Sequence, residues 1–294
     1  MPVVISVINL KGGVGKTTLC IALGEMMAFR YGLKVLIIDM DPQTNATVAL
    51  IGEEAWVKRN IRGQTLMQLF RDRIEKTSIF SAQEAIMHQV SNVGGGIPGL
   101  DLIPSSLDLI DLQDHIATIP VSRFLPLKPV TILAEAVVDQ LPCYDVVLID
   151  CPPNLGLITQ NGLIISQYYL IPVIPDILST YGIPQIVSRI KRLSDSTGVT
   201  INPLGVVINK YRKQNIHHGN QIKLLQLRAF EAGYSRIFNT IIPETSRAAA
   251  AMDFTALCRT LHHKYGYEIP FGMYETLTEE VLEYAQIRPH SIYG

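Results

Sequence analysis

Val3-Val4-Ile5-Ser6-Val7-Ile8 runs through Asn9 and Leu10 into Lys11-Gly12-Gly13-Val14-Gly15-Lys16-Thr17-Thr18, and this junction decides the fold. A short β-branched run that stops at glycines reads as a buried strand. Gly12, Gly13 and Gly15 let the backbone turn so that successive N–H groups face one concavity, the nest that binds anions. Lys16-Thr17-Thr18 then opens a helix, whose positive dipole end adds to the same spot. Strand, glycine loop and Lys-Thr in this order form the layout of a nucleoside triphosphate cradle. In such a cradle Lys16 neutralises the β and γ phosphates and the Thr17 hydroxyl ligates Mg²⁺, with Val14 and Thr18 completing the contact set. A glycine-rich turn without a ligand is the alternative. The general pattern G-x-x-x-x-G-K-[ST] asks for glycine at position 10, where Leu10 stands, and the loop carries a second lysine, Lys11, instead.

The chain as a whole bounds what the cradle serves. At 294 residues, 48% of them hydrophobic, it is long enough for one large α/β domain with a sizeable core. No run reaches the roughly 18 apolar residues of a membrane span. The most apolar stretch, 163–175, is broken by Ser166, Gln167 and Pro172. The N-terminus starts at once with a strand and shows no basic leader. Cys20, Cys143, Cys151 and Cys258 have no C-x-x-C spacing, so neither a disulfide frame nor a zinc site is expected. These features lead to the expectation of a soluble, cytoplasmic protein. The net charge of −1 conceals an asymmetry. From Arg189 to Arg236, nine basic residues face only Asp195 and Glu231, a local excess of seven that leaves −8 for the rest. A basic face of this kind suits a polyanion, although an ordinary solvated surface has the same count.

Seven apolar runs, at 3–9, 34–39, 100–104, 144–150, 169–175, 204–209 and 238–242, read as strands. Helical patterns lie between them at 17–30, 130–140, 157–166, 180–197 and 220–232. The alternation predicts an α/β fold with a doubly wound, mostly parallel sheet flanked by helices, and ligands at the carboxyl ends of its strands. Residues 51–99 break the alternation and are expected to form a helical insertion. From about 253 the chain reads as helices separated by Pro270-Phe271-Gly272. With no internal repeat and no low-complexity linker, residues 1–294 are expected to form one domain.

Two more strands end in acids. Ile37-Ile38-Asp39-Met40-Asp41-Pro42-Gln43 brings two carboxylates to the crevice of the phosphate loop, although Asp41 also fits a cap on the following turn. Val146-Val147-Leu148-Ile149-Asp150 leads into Cys151-Pro152-Pro153. Asp150 there can hold Mg²⁺ through water, and the prolines restrict the chain beyond it. Thr17, Asp39 and Asp150 make a hard-oxygen set of the kind magnesium prefers.

Lys11–Thr17, Asp39–Gln43 and Asp150–Pro153 together resemble the motifs of the deviant-Walker-A ATPases. This P-loop family includes the ParA/Soj partition ATPases, the MinD cell-division ATPases and the nitrogenase iron protein. The resemblance runs from Val3 to about Leu261. It implies that Lys11 reaches across an ATP-sandwich homodimer to the partner's phosphates, which makes ATP binding and dimerisation one event. It implies that Asp41 orients the attacking water, that Asp39 supports the Mg²⁺ shell, and that 150–153 sense the γ-phosphate. It also places Asn209 where relatives read adenine, and Pro243 in the loop that packs on the base. On its own chemistry Asn209 fits a turn equally well.

Among the branches of the family, the nitrogenase-like one fits poorly, because Cys143 and Cys151 lack its glycine-flanked context. The tail 278–284 is acidic and runs to Arg288-Pro289-His290, unlike the basic amphipathic helix of a membrane anchor, so no membrane partner is expected. The basic segment lies in the C-terminal third, where partition ATPases place a surface for nonspecific double-stranded DNA. Arg189, Lys191, Arg192, Arg212, Lys213 and Arg247 are its candidates. No helix-turn-helix domain is expected ahead of the core, so the resemblance is to the short ParA form. Two readings stay open. One is a nucleoid-associated partition ATPase, slow until a ParB-like adaptor or other cargo-bound activator stimulates it. The other is a DNA-independent ATPase that positions or assembles a protein cargo.

Overall fold

The computed structural model describes residues 1–112, 129–229, 233–234, 236–267 and 269–289. Its strands are β1 (Val3–Val7), β2 (Val35–Asp39), β3 (Leu100–Ile103), β4 (Val146–Asp150), β5 (Tyr168–Val173), β6 (Asn202–Tyr211) and β7 (Ile237–Pro243). They form one sheet in the order β3-β2-β4-β1-β5-β6-β7, and every pair is parallel. All seven expected strands are present. β2 and β4 are buried along their whole length, which is why they read as unbroken apolar runs rather than alternating ones.

Side chains alternate between the two faces of the sheet. Ile5, Val7, Ile37 and Leu148 pack into one core, and Val4, Ile8, Ile38 and Ile149 into the other. The first core is covered by α1 (Lys16–Tyr31) and α2 (Asn45–Ile61). The second is covered by α3 (Leu66–Glu75), α4 (Ala82–Ala85), α5 (Ile132–Val137) and α6 (Leu157–Ile164). After β5 come α7 (Ile177–Tyr181) and α8 (Ile183–Thr197), and after β6 comes α9 (Ile216–Arg228). The chain closes with α10 (Ser246–Ala250), α11 (Leu261–Tyr265) and α12 (Ile269–Tyr284), the last two packed on the first core.

Three boundaries differ from expectation, each for a local reason. The helix expected at 180–197 is two helices meeting at Gly182, with Pro184 in the first turn of α8. Pro270-Phe271-Gly272 does not separate helices but opens α12, because a first-turn proline sacrifices no intrahelical N–H bond. The helix expected from 220 starts at Ile216, where the Asn215 side chain accepts the His217 N–H (3.0 Å). Residues 230–232 of that expected helix lie outside the described residues. In the segment read as an insertion, α2 starts before residue 51 and is broken at Gly52 (φ 76, ψ 161). Gly52 also lacks room for a Cβ, which would come 2.7 Å from the Phe254 ring. Further on, Met87 and Leu102 exchange backbone hydrogen bonds (2.8 and 2.9 Å), covering the outer edge of β3.

A buried polar knot ties the C-terminal segment to α1. Glu25 accepts Lys264 Nζ (2.7 Å) and Ser91 Oγ (2.6 Å) on one oxygen and the Tyr265 hydroxyl (2.7 Å) on the other. Both charged side chains are fully buried. Removing one partner leaves the other charge stranded in the core. Glu25→Ala is therefore expected to cost about 3–5 kcal/mol in urea-unfolding stability. A loss below roughly 1 kcal/mol would mean that Lys264 finds water or another acceptor instead.

Candidate functional site

Register alone brings the acids together. Val7 lies opposite Asp150, and Asp150 opposite Asp39, so the phosphate loop leaves β1 beside both carboxylates. The loop is pinned at its start by Asn9, whose Nδ2 donates to the Pro172 carbonyl (2.8 Å) and whose Oδ1 accepts the Lys11 N–H (2.9 Å). Gly13 (φ 76) and Gly15 (φ 87) take left-handed backbone that favours glycine. α1 then begins with the Leu19 N–H on the Gly15 carbonyl (3.0 Å). Lys16 is 6% exposed and donates to the Lys11 carbonyl (3.3 Å). Burial lowers its pKa, and the nearby Asp150 and Asp41 carboxylates oppose that shift.

Gly12, Gly13, Gly15, Lys16, Thr17, Thr18 and Asp41 line one cavity of about 340 Å³. Asp41 Oδ1 accepts the Gln43 N–H (3.0 Å), so this residue both faces the cavity and caps the next turn. Its carbonyl accepts the Thr44 N–H (2.9 Å) and the Ser105 hydroxyl (2.8 Å). Thr44 is β-branched yet has φ 56, a strained conformation that these contacts hold in place.

Asp150 is fully buried, and among the described residues no donor meets its oxygens in good hydrogen-bond geometry, although the Thr17 hydroxyl lies close by. Burial pushes its carboxyl well above the ordinary value and Asp39 adds to the rise, while the Thr17 hydroxyl and Lys16 ammonium pull it down. An orphaned buried carboxylate beside a threonine hydroxyl suits a divalent cation. Among the described residues no three His, Cys, Asp or Glu side chains form a metal cage. Magnesium held by one or two protein groups plus phosphate needs none.

Asp39 is held by protein donors. Its Oδ2 accepts the Thr47 N–H (2.8 Å) and hydroxyl (2.6 Å), and its Oδ1 accepts the Asp41 N–H (3.1 Å). Its oxygens thus hold the first turn of α2 and the backbone of Asp41, and it is not among the residues lining the cavity. Burial still pushes its carboxyl up to about 7, against those hydrogen bonds.

Asp150 likewise lies behind the cavity wall, and so do four other expected contacts. Val14 is buried. Lys11 forms a salt bridge with Asp176 (3.0 Å), the residue whose carboxylate caps α7 through the Ser179 N–H (2.6 Å). Asn209 donates from Nδ2 to the Val14 carbonyl (2.9 Å) and accepts the Lys210 N–H on Oδ1 (2.9 Å), so one N–H and one lone pair of its amide are engaged with backbone. Pro243 ends β7 opposite Tyr211. The wall also contains Pro153, from the segment expected to sense the γ-phosphate, and residues that sequence reasoning missed: Gln43, Asn45, Val48, Ala49, Lys210 and Met252. Lys210 had a usable signal, being a basic residue directly behind a strand's carboxyl end. Met252 had none.

The six basic candidates are all exposed. Arg189, Lys191 and Arg192 ride on α8, whereas Arg212 and Lys213 follow the end of β6. Arg212 is paired with Glu244, and Arg247 Nη1 donates to the His263 carbonyl (3.4 Å). Glu231 of the charge count and His290 of the tail lie outside the described residues. Among the described residues no helix is long and apolar enough to cross a membrane.

A glycine loop leading from a central parallel strand into a helix headed by a buried lysine, with acids on the adjoining strand ends, defines a P-loop nucleotide-binding protein. A family model described as an AAA domain matches residues 3–202. The chain is 31% identical over 244 residues to the chromosome-partitioning ATPase Soj of Treponema pallidum, covering 83% of this chain and 84% of that protein. It is 29% identical over 283 residues to the chromosome-partitioning ATPase Soj of Thermus thermophilus, covering 96% of each. In fold it is similar to cobyrinic acid a,c-diamide synthase from Mycobacterium smegmatis, solved with a bound ATP analog and magnesium. That match has a TM-score of 0.73 at 21% identity, over 99% of this chain and 100% of the other. The chain belongs to the ParA/Soj family of P-loop ATPases.

Asp39 and Asp150 both hold protons more readily in the fold than in the unfolded chain. For Asp39, the contribution to the stability of the nucleotide-free chain is fully present below the ordinary carboxyl value of 3.8 and is lost as pH rises through about 7. Asp150 acts in the same direction. Urea midpoints measured across this window should fall with pH, and less steeply in Asp150→Asn. A slope that Asp150→Asn leaves unaltered would show that this carboxyl does not drive it.

Proposed function

We propose that the chain is a Mg²⁺-dependent ATPase whose nucleotide state controls self-association and binding to nonspecific double-stranded DNA. The observation that carries this reading is Asp150, buried beside Thr17 and Lys16 where the glycine loop opens, with no well-formed hydrogen bond to its oxygens among the described residues. Thr17 and Asp150 would hold the Mg²⁺, which when bound supplies positive charge to the phosphate oxygens. Lys16 and the backbone amides of 12–18 bind the phosphates and orient them. Asp41, on the cavity wall, positions the attacking water, and Asp39 keeps Asp41 in place through the backbone bond described above. Lys11 is the candidate contact to a second copy in an ATP-bound homodimer, where it would exchange Asp176 for the partner's phosphates.

On this reading the chain is one domain, with the helical segment 51–99 inserted and the helices from 253 packed back on the sheet. Arg189, Lys191, Arg192, Lys213 and Arg247 supply the DNA contacts, and the paired Arg212 contributes less. Intrinsic turnover is slow, because a switch needs a long-lived ATP state, and a ParB-like adaptor or other cargo-bound activator ends that state. The protein works in the cytoplasm, on the nucleoid.

Asp41→Ala should bind ATP with near-normal affinity and hydrolyse it at most at about a hundredth of the normal rate, in keeping with the loss of a positioned acid–base group. Undiminished turnover would remove Asp41 from this role. Retention on duplex DNA, measured with ATP, ADP or no nucleotide over a salt series, should require ATP. It should fall with a log–log slope of roughly −0.9 per phosphate neutralised. If the ATP-bound dimer forms but is not retained, the DNA-independent cargo-positioning reading takes its place.

A further inference from the structure

In a trans peptide the carbonyl and the following N–H point in opposite directions. Whatever holds the carbonyls of a phosphate loop therefore aims the amides behind them. Two of the loop's carbonyls are held from outside it: the Gly13 carbonyl accepts Lys210 Nζ (2.7 Å), and the Val14 carbonyl accepts Asn209 Nδ2 (2.9 Å). The amides opposite these carbonyls are the N–H groups of Val14 and Gly15. Among the described residues, neither donates to a protein acceptor.

The two donors form one built device. Asn209 is 5% exposed, and its Oδ1 accepts the Lys210 N–H (2.9 Å). Lys210 has φ 51, a left-handed conformation uncommon for a non-glycine residue. The missing side chain of Gly15 leaves the space the amide needs, since a Cβ there would come 2.3 Å from Asn209 Nδ2.

We infer that Asn209 and Lys210 are positioning residues that clamp the Gly13 and Val14 carbonyls and so aim the Val14 and Gly15 amides at the triphosphate. This rests on the nucleotide reading above and deepens it: Asn209 serves the phosphates through the loop.

The test is a calorimetric titration of the full chain and of Asn209→Ala, Lys210→Met and Lys210→Arg with ATP, GTP and inorganic tripolyphosphate, each with Mg²⁺. A clamp predicts that Asn209→Ala weakens all three ligands by the same factor, about tenfold for one lost oriented hydrogen bond to the loop. Lys210→Met should weaken all three likewise, and Lys210→Arg, which keeps a donor, should restore binding. Because Lys210 is on the cavity rim, Lys210→Met and Lys210→Arg carry the test even if Asn209→Ala fails to fold. The inference is overturned if Asn209→Ala binds tripolyphosphate normally and loses only ATP, or only the preference for ATP over GTP. It is overturned equally if Lys210→Met binds all three normally, or if the unaltered chain binds ATP but no tripolyphosphate. Binding of none of the three by the unaltered chain would instead refute the nucleotide reading itself.

Discussion

The parallel hydrogen-bond ladders joining β2, β4 and β1 put Asp39, Asp150 and Val7 at one level of the sheet, directly where the glycine loop departs. Side chains alternate with a period of two, so a slip of one residue in either ladder would move an aspartate to the other face. The bulk of Ile37, Leu148 and Val7 on one face, and of Ile38, Ile149 and Ile8 on the other, locks that register. Placement of the charged groups at the site is thus maintained by apolar packing several ångströms away from it.

Two aspartates at equivalent positions on neighbouring strands end in opposite hydrogen-bond environments. Asp39 is closed off by Thr47 and the Asp41 amide, whereas the oxygens of Asp150 have no well-formed hydrogen bond among the described residues. Desolvating a carboxylate without a donor is costly, and a protein retains such a group where a ligand completes it. The unfinished group lies beside Thr17 and Lys16, and the finished one holds the backbone of the turn at 41–44. One acid is thus left open toward the loop and the other holds local geometry.

Much of this was legible in the sequence. Uniformly apolar runs with acids at their ends announced β2 and β4, and the glycine spacing announced the loop, because both follow from local backbone requirements. Asp39 and Asn209 show where such reading stops. Their residue types suggest ligand contacts, but their hydrogen-bond partners, Thr47 and the Val14 carbonyl, come from elements whose packing no spacing rule encodes. Lys11 is similar: its partner Asp176 is 165 residues away in the chain. Pro270 misled for another reason, since a helix-breaking residue and a helix-opening residue are the same residue at different positions in a turn.

The segment 91–94 joins the C-terminal stretch by main-chain bonds. The Gly94 N–H binds the Cys258 carbonyl (2.8 Å), and the Cys258 N–H binds the Asn92 carbonyl (3.0 Å). The Asn92 side chain adds bonds to the carbonyls of Asp253 and Ala256. Met252, just before this junction, is part of the cavity wall. Peptide groups are common to almost all residue types, so this splice tolerates many exchanges of side chain at 256–258. It is sensitive to chain length instead, because adding or deleting one residue would offset every bond in it and displace Met252 from the cavity. Drift in this part of the molecule is therefore free in letters and constrained in spacing.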